Sequence, residues 1–206
     1  MKPGKIICIG WNYRSHLAET NAVLPKEPIV FLKPPSCLIG NGDDISVIDG
    51  IGAVHHEVEL AVIFGKTGKS IPNNDALSYI SHVAVFNDIT ARDIQTKARS
   101  EGNPWCIAKG MDTFGPMSDP ISISSVKDIH GLELELHVNG DLRQKGNTSM
   151  MIFQVDELIA YVSRFMTIEK GDIMATGTPE GTGPLVKGDT VVTKIIGVGE
   201  LRNKVI

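Results

Sequence analysis

His55-His56-Glu57-Val58-Glu59-Leu60-Ala61-Val62-Ile63-Phe64 is the stretch on which the fold turns. Its Val and Ile content is that of a β-strand. Its apolar part, Glu59–Phe64, is far too short to span a bilayer. On a strand, side chains two apart project from one face. Glu57 and Glu59 therefore sit side by side, while Val58 and Leu60 enter the opposite layer. Two adjacent carboxylates repel unless a cation lies between them. A divalent ion answers this, and oxygen-only ligation favours Mg²⁺, Mn²⁺ or Ca²⁺ over zinc. By the same parity His55 shares their face, as a further ligand or as a hydrogen-bonded structural histidine, and His56 points the other way. Glu-x-Glu alone is a weak signal. Glu133 and Glu135 in Leu132-Glu-Leu-Glu-Leu136 have the same spacing and read as a solvated strand face.

Working outward, further strands are expected at Lys5–Ile9, Ile29–Lys33, Val83–Ile89, Leu132–Val138, Asp172–Thr176 and Thr190–Ile196. Asn139-Gly140 is a strong hairpin signal. Gly197 and Gly199 turn the chain into a last strand at Leu201–Val205. Val155, Leu158, Ile159, Val162, Phe165 and Met166 form one stripe at helical spacing. Thr90 is a candidate cap for a helix running to Gly102. Asn73 or Asn74 would cap a shorter helix near Tyr79, and a brief one would hold Tyr13–Glu19. The sum is a strand-dominated α+β domain, a β-sandwich or roll with peripheral helices. No repeat or linker divides it, so residues 1–206 are expected to form a single domain.

Composition narrows the function. The chain has 206 residues, 42% hydrophobic and 21% charged, near the globular average. A net charge of -4 disfavours a nucleic-acid or anionic-membrane partner. Met1-Lys-Pro-Gly-Lys5 does not read as a signal peptide, which gives a cytoplasmic expectation. Cys8, Cys37 and Cys106 form no Cys-x-x-Cys unit and read as buried thiols rather than a zinc or redox site.

Asn87-Asp88 follows the apolar strand Val83–Phe86. A carboxylate where strand gives way to helix is placed either to join a site or to serve as a turn residue. Arg92 and Gln95 are three apart, hence on one helix face, where they could hold a substrate carboxylate or carbonyl. His16 and Glu19 are likewise neighbours on one turn. A carboxylate beside an imidazole orients it, which makes a competent general base.

These pieces occur together with Gly10-Trp-Asn-Tyr-Arg-Ser-His16-Leu-Ala-Glu19, Phe31-Leu-Lys-Pro34, Ala108-Lys-Gly110, Val138-Asn-Gly140, Ser149-Met-Met-Ile-Phe153 and Gly171-Asp-Ile-Met-Ala-Thr-Gly-Thr-Pro-Glu-Gly181. In this the chain resembles the fumarylacetoacetate hydrolase superfamily, in particular its small acylpyruvase and oxaloacetate decarboxylase branch. The resemblance spans nearly the whole chain and implies the family's mixed β-sandwich roll and a homodimer. It implies metal ligation by Glu57, Glu59 and Asp88, normally of Mg²⁺, and gives no support to His55 as a ligand. It also turns Lys109, in isolation an exposed charge, into a candidate catalytic lysine. It implies that Thr178 offers a hydroxyl or amide to a substrate carboxylate and that His16 with Glu19 activates water.

The implied substrate is a small 2-keto acid. Its carboxylate and keto oxygen chelate the ion, and C3–C4 cleavage leaves a pyruvate enolate stabilised by ion and lysine. Acylpyruvate hydrolysis or oxaloacetate decarboxylation is the first expectation. Isomerisation or tautomerisation of a related acid is the second, and a noncatalytic dicarboxylate-binding module the third. Trp11 and Arg14 depart from the family's pattern. They border the loop Thr20–Glu27, read as a lid, so substrate choice is expected there.

Overall fold

The central apolar stretch forms a strand, but a shorter one than expected. Val58–Phe64 pairs antiparallel with Ile80–Asn87 on one side and Ile173–Ala175 on the other. The continuous strand from His55 breaks at Glu57, because both backbone groups of that residue are engaged outside a ladder. Its N–H donates to the Asn87 side-chain oxygen at 2.9 Å, and its carbonyl accepts from the Asp88 N–H at 2.9 Å. Val54–His56 becomes a separate strand, paired with Gly183–Leu185 and Thr90–Ala91. The chain thus changes sheets at the first of the two glutamates.

The structure, a computed structural model, describes residues 3–20 and 22–206. Met1 and Lys2 of the opening segment, and Asn21 of the expected lid loop, lie outside them. Among the described residues a six-stranded mixed sheet runs in the order Ile121–Ser122, Ile80–Asn87, Val58–Phe64, Ile173–Ala175, Ile6–Gly10, Ile29–Lys33. A five-stranded sheet is ordered Asp141–Asn147, Glu133–Val138, Thr190–Ile195, Gly199–Val205, Asp44–Ile45.

The two faces of the larger sheet carry different side chains. Ile7, Leu60, Val62, Val83 and Val85 share one cluster with Leu134, Leu136, Val191 and Ile195 of the smaller sheet. The helix Val155–Phe165 adds Val155, Leu158, Ile159 and Val162 of the expected stripe to it; its last two members depart, since Phe165 at the final turn is exposed and Met166 lies just past the helix end in extended backbone. Each such aliphatic side chain is worth about 1.5–3 kcal/mol when fully buried, so this layer carries most of the stability. The opposite face is made of smaller residues: Cys8, Ala61, Ala84 and Ala175, with Ile6, Phe86 and Ile173. Strand parity puts Glu59 on this second face, and Asp88 lies one residue past the end of Ile80–Asn87. The charges are thereby grouped where the sheet has least aliphatic bulk.

Asn139 and Gly140 turn the hairpin between Glu133–Val138 and Asp141–Asn147 with φ of 54° and 90°. Glu133 and Glu135 both meet Lys145 at the surface, as an ordinary solvated face would. Two caps differ from expectation. The helix Arg92–Glu101 starts after Ala91, because the Thr90 hydroxyl donates to the Asp88 carbonyl instead. Asn73–Tyr79 is a 3₁₀ segment entered from Pro72, since Asn73 is bonded to Asp156 rather than capping.

Cys8 and Cys37 are buried but Cys106 is exposed, a correction to the expectation of three buried thiols. Cys106 opens the four-residue helix Cys106–Lys109, whose buried side is taken by Ala108 and Lys109. Burial pushes the Cys37 thiol up to about 11 and the Cys8 thiol well above its ordinary value. Since the thiolate is the nucleophile, iodoacetamide at pH 8 should alkylate Cys106 alone in the native protein. Peptide mapping that finds Cys8 or Cys37 labelled at a comparable rate would contradict this packing.

Candidate active site

Glu57, Glu59, Asp88, Lys33 and Lys109 are each at most 5% exposed. Removing an ion from water costs several kcal/mol even after relaxation. Five such groups in one place are therefore a poor way to stabilise a fold and a recognised mark of a functional site.

One oxygen from each of Glu57, Glu59 and Asp88 falls within 4.8 Å of the others. Lys109 bridges two of these carboxylates, with Nζ 2.9 Å from Glu57 and 2.5 Å from Asp88. Lys33 donates to the other Asp88 oxygen at 2.5 Å. Arg92 donates to the other Glu57 oxygen, to Gln95 Oε1 at 2.5 Å, and to His55 Nδ1 at 3.4 Å. Asp88 and Glu57 thus have two cations each. Glu59 accepts a 2.8 Å bond from the Gly177 N–H, and among the described residues no cation pairs with it.

The electrostatics follow. Burial would raise the Glu57 carboxyl, but Lys109 and Arg92 beside it hold it well below the usual range. Burial, then the charges of Asp88 and Glu57, push Glu59 well above it. Burial works against the Lys109 ammonium, and Asp88 and Glu57 outweigh it, so the value is raised. Burial and then Arg92 lower His55 to about 4, which leaves a neutral ring able to accept the Arg92 bond. Glu59 is the group that calls for a further cation. Three buried carboxylates with no nitrogen or sulfur donor suit a hard divalent ion, so these residues fit the metal implied by the sequence.

A cavity of about 340 Å³ opens over this cluster. Glu57, Glu59, Lys109, Arg92, Gln95, Thr178, His16 and Glu19 all line it, so eight of the nine residues proposed from sequence border one space. Asp88, the ninth, lies fully buried behind Lys109. His55 also lines the cavity, whereas His56 turns away to Gln144 at 2.9 Å. His16 Nδ1 lies 3.0 Å from Glu19 Oε2, and Glu19 Oε1 accepts from the Gly181 N–H at 3.1 Å. The short helix Arg14–Thr20 is thereby tied to the Thr176–Gly181 turn. That turn needs its glycines. Gly177 has φ 96° and Gly181 φ 90°, and a Cβ would come within 2.7 Å of Asn12 Cβ and 2.1 Å of the Arg143 carbonyl respectively.

Two residues of the site were not assigned a role from sequence. Lys33 ends the Ile29–Lys33 strand, fully buried, and its partner Asp88 is 55 positions away. Gln144 donates to Thr178 Oγ1 at 2.8 Å and the Pro179 carbonyl at 2.9 Å, and accepts from the Val58 N–H. It fixes Thr178 beside the cavity. Only the lysine left a trace in the sequence, as a charge closing an apolar strand.

The family profile described as "Fumarylacetoacetate (FAA) hydrolase C-terminal" matches residues 5–206. The chain belongs to the fumarylacetoacetate hydrolase family. Within that family it is 44% identical over 198 residues to an oxaloacetate tautomerase FAHD1, mitochondrial, from Arabidopsis thaliana, covering 96% of this chain and 89% of that one. A fumarylpyruvate hydrolase from Pseudomonas aeruginosa, solved with Mn²⁺ and pyruvate, superposes with a TM-score of 0.95 at 32% identity, covering 99% and 90% of the two chains. A 5-carboxymethyl-2-hydroxymuconate delta-isomerase from Mycobacterium smegmatis gives 0.89 at 38%, covering 100% and 80%. The strand-rich α+β fold of the family is the fold described above. No helix among the described residues is long and apolar enough to cross a membrane.

Proposed function

We propose that this protein is a divalent-metal-dependent enzyme that draws an enolate from a small 2-keto acid. Oxaloacetate tautomerisation is its first activity, and C3–C4 cleavage of acylpyruvates or oxaloacetate its second. The observation that carries this is Glu59, buried beside Glu57 and Asp88 with no cation paired to it among the described residues, in a cavity shared with Lys109 and His16. The sequence put cleavage first. The tautomerase name of a relative 44% identical over nearly the whole chain supports the reversed order. The hydrolase solved with pyruvate supports cleavage as the second reading.

Glu57, Glu59 and Asp88 would hold the ion, Mg²⁺ in the first instance. When bound, it supplies a Lewis acid to the keto acid's 2-oxygen and carboxylate. Arg92 and Gln95 on the helix face, and Thr178 held by Gln144, orient the substrate's carboxylate and carbonyl groups. His16, oriented by Glu19, carries the proton that tautomerisation and hydrolysis each move. In tautomerisation that proton leaves C3, its pair becomes the C2–C3 double bond, the carbonyl pair moves onto the 2-oxygen, and the proton is returned there. In acylpyruvate hydrolysis it leaves a water whose oxygen bonds C4; C4 departs as a carboxylic acid, the C3–C4 pair becomes the enolate's C2–C3 bond, and the proton is returned to C3. Oxaloacetate cleavage needs no water: CO2 leaves, and the C3–C4 pair stays on the same enolate. Lys109, whose raised pKa keeps it an ammonium, donates a hydrogen bond to the 2-oxygen as charge grows there. The same reading takes residues 1–206 as one catalytic domain working as a homodimer, with light scattering as its check.

Purified protein given oxaloacetate with Mg²⁺ should speed the decay of enol absorbance, and EDTA should abolish the effect. Pyruvate release from oxaloacetate or acetylpyruvate reports cleavage separately. Neither signal from folded, metal-loaded protein would refute the enzyme. Ligand-induced thermal stabilisation without turnover would then favour a binding module.

A further inference from the structure

Gln144 belongs to Asp141–Asn147, the end strand of the smaller sheet, yet its buried side chain bonds to the start of Val58–Phe64 in the larger one. The Thr176–Gly181 turn lies directly on the same strand. A Cβ on Gly146 would come within 2.7 Å of the Pro179 ring, just as one on Gly181 would strike the Arg143 carbonyl. Between strand and turn, the Gln144 amide makes four hydrogen bonds, two at its oxygen and two at its nitrogen, which is all that a primary amide can make.

The partners fix which end of the amide is which. The Val58 N–H can only donate, so it faces the amide oxygen, at 3.1 Å. The Pro179 carbonyl can only accept, so it faces the amide nitrogen, at 2.9 Å. His56 Nδ1, 2.9 Å from the oxygen, must then carry a hydrogen. Thr178 Oγ1, 2.8 Å from the nitrogen, must accept one. A threonine hydroxyl has a single hydrogen to give. Gln144 already donates to the Thr178 oxygen, so that hydrogen points away from Gln144, and among the described residues it meets no acceptor. Thr178 lines the cavity. Its neighbour Gly177 gives its N–H to Glu59, so the hydroxyl stands one residue from a contact to a residue of the carboxylate cluster.

Resting on the keto-acid reading of the site, we infer that Gln144 is a positioning residue: it holds the Thr178 hydroxyl as a donor aimed into the cavity, toward the carboxylate beside the substrate's keto group. A free hydroxyl can turn either its hydrogen or a lone pair to a ligand, and a lone pair facing a carboxylate repels it. Gln144 removes that choice before the substrate arrives, so the hydroxyl needs no ordering on binding. Gln144 itself touches neither substrate nor ion and acts through Thr178.

A double-mutant cycle on the Mg²⁺-loaded protein tests this, with pyruvate binding read by calorimetry. Thr178→Val alone should weaken pyruvate about tenfold, the scale of one hydrogen bond to a charged group, and Thr178→Ser should keep the affinity of wild type. With Gln144→Met already present, adding Thr178→Val should cost about twofold or less, because the hydroxyl there is no longer turned. Gln144→Glu supplies a second background. Its oxygens still accept from Val58 and His56, but it has at most one hydrogen for Thr178 and Pro179 together, so the same collapse is expected. Each cost compares two proteins alike at position 144, so general damage from that substitution cancels. Mg²⁺ affinity, titrated on the same variants, should not respond to Thr178→Val. Equal costs of Thr178→Val with and without Gln144, no cost in the wild-type background, or a matching loss of Mg²⁺ affinity would overturn the inference. Pyruvate binding with independent effects sinks the Gln144 assignment alone, and no pyruvate binding to wild type sinks the keto-acid reading with it.

Discussion

Lys109→Ala is expected to lower kcat on the preferred keto acid by about 10²–10³-fold, the usual cost of removing one donor to a developing oxyanion. KM should change little. Lys109 is 2% exposed, so its ammonium acts in a medium where a donor is worth far more than in water. Asp88 and Glu57 hold its proton against the effect of burial, so it stays charged and contributes by electrostatics rather than by giving the proton up. The fold should survive the change. Asp88 keeps Lys33 at 2.5 Å, and Glu57 keeps Arg92. Lys109→Arg should not rescue, because a planar fork cannot take the place of a compact ammonium between two carboxylates. The measurement pairs kcat with the Kd for Mg²⁺ and for pyruvate. If both binding constants collapse along with kcat, Lys109 is a clamp on the carboxylates and not the group at the 2-oxygen.

How much of this was legible in the sequence depends on the range of each interaction. Asn139-Gly140, the Val155–Val162 part of the helical stripe and the strand alternation after Leu132 are local patterns, and the fold reproduces them. The clustering of Glu57 and Glu59 was also local, although for a different backbone from the one assumed. Parity presupposed one strand, yet the chain leaves the ladder at Glu57 and the two carboxylates still converge. What holds them there is Asn87 on the next strand and Gly177 on the far turn, contacts 30 and 118 positions away. The contacts of Lys33 and Gln144 are of this long-range kind too. Alternation along a strand tells which side a residue faces, but not which distant residue will meet it. For the same reason Cys106 was misread. Its short helix buries only the side that carries Lys109 to the site.

Glu59→Gln should separate stability from function more cleanly than any other change, because its two effects have opposite signs. Glu59 is 1% exposed and flanked by two carboxylates, with the Lys109 charge and one backbone N–H, that of Gly177, in its favour. Its folded pKa is raised above the ordinary 4.5. A carboxyl shifted this way contributes its full stability below about 4.5, and that contribution is lost as pH rises through the folded value. In EDTA, wild type should therefore lose stability relative to Glu59→Gln as pH climbs above 4.5, measured as the difference in urea midpoints. Glu57, held low, stays ionised in both proteins across that range and adds no slope to the difference. With Mg²⁺ the order reverses. Wild type gains RT ln(1 + [Mg²⁺]/Kd), about 2.7 kcal/mol at a hundred times Kd, and the neutral amide forfeits most of it. Activity should fall to background in the same variant, since the charge that draws the ion into the cavity has gone. A variant that is less stable than wild type in EDTA at neutral pH would mean that Glu59 is held by interactions stronger than its repulsions. Carboxylate repulsion would then not be what draws a cation to this site.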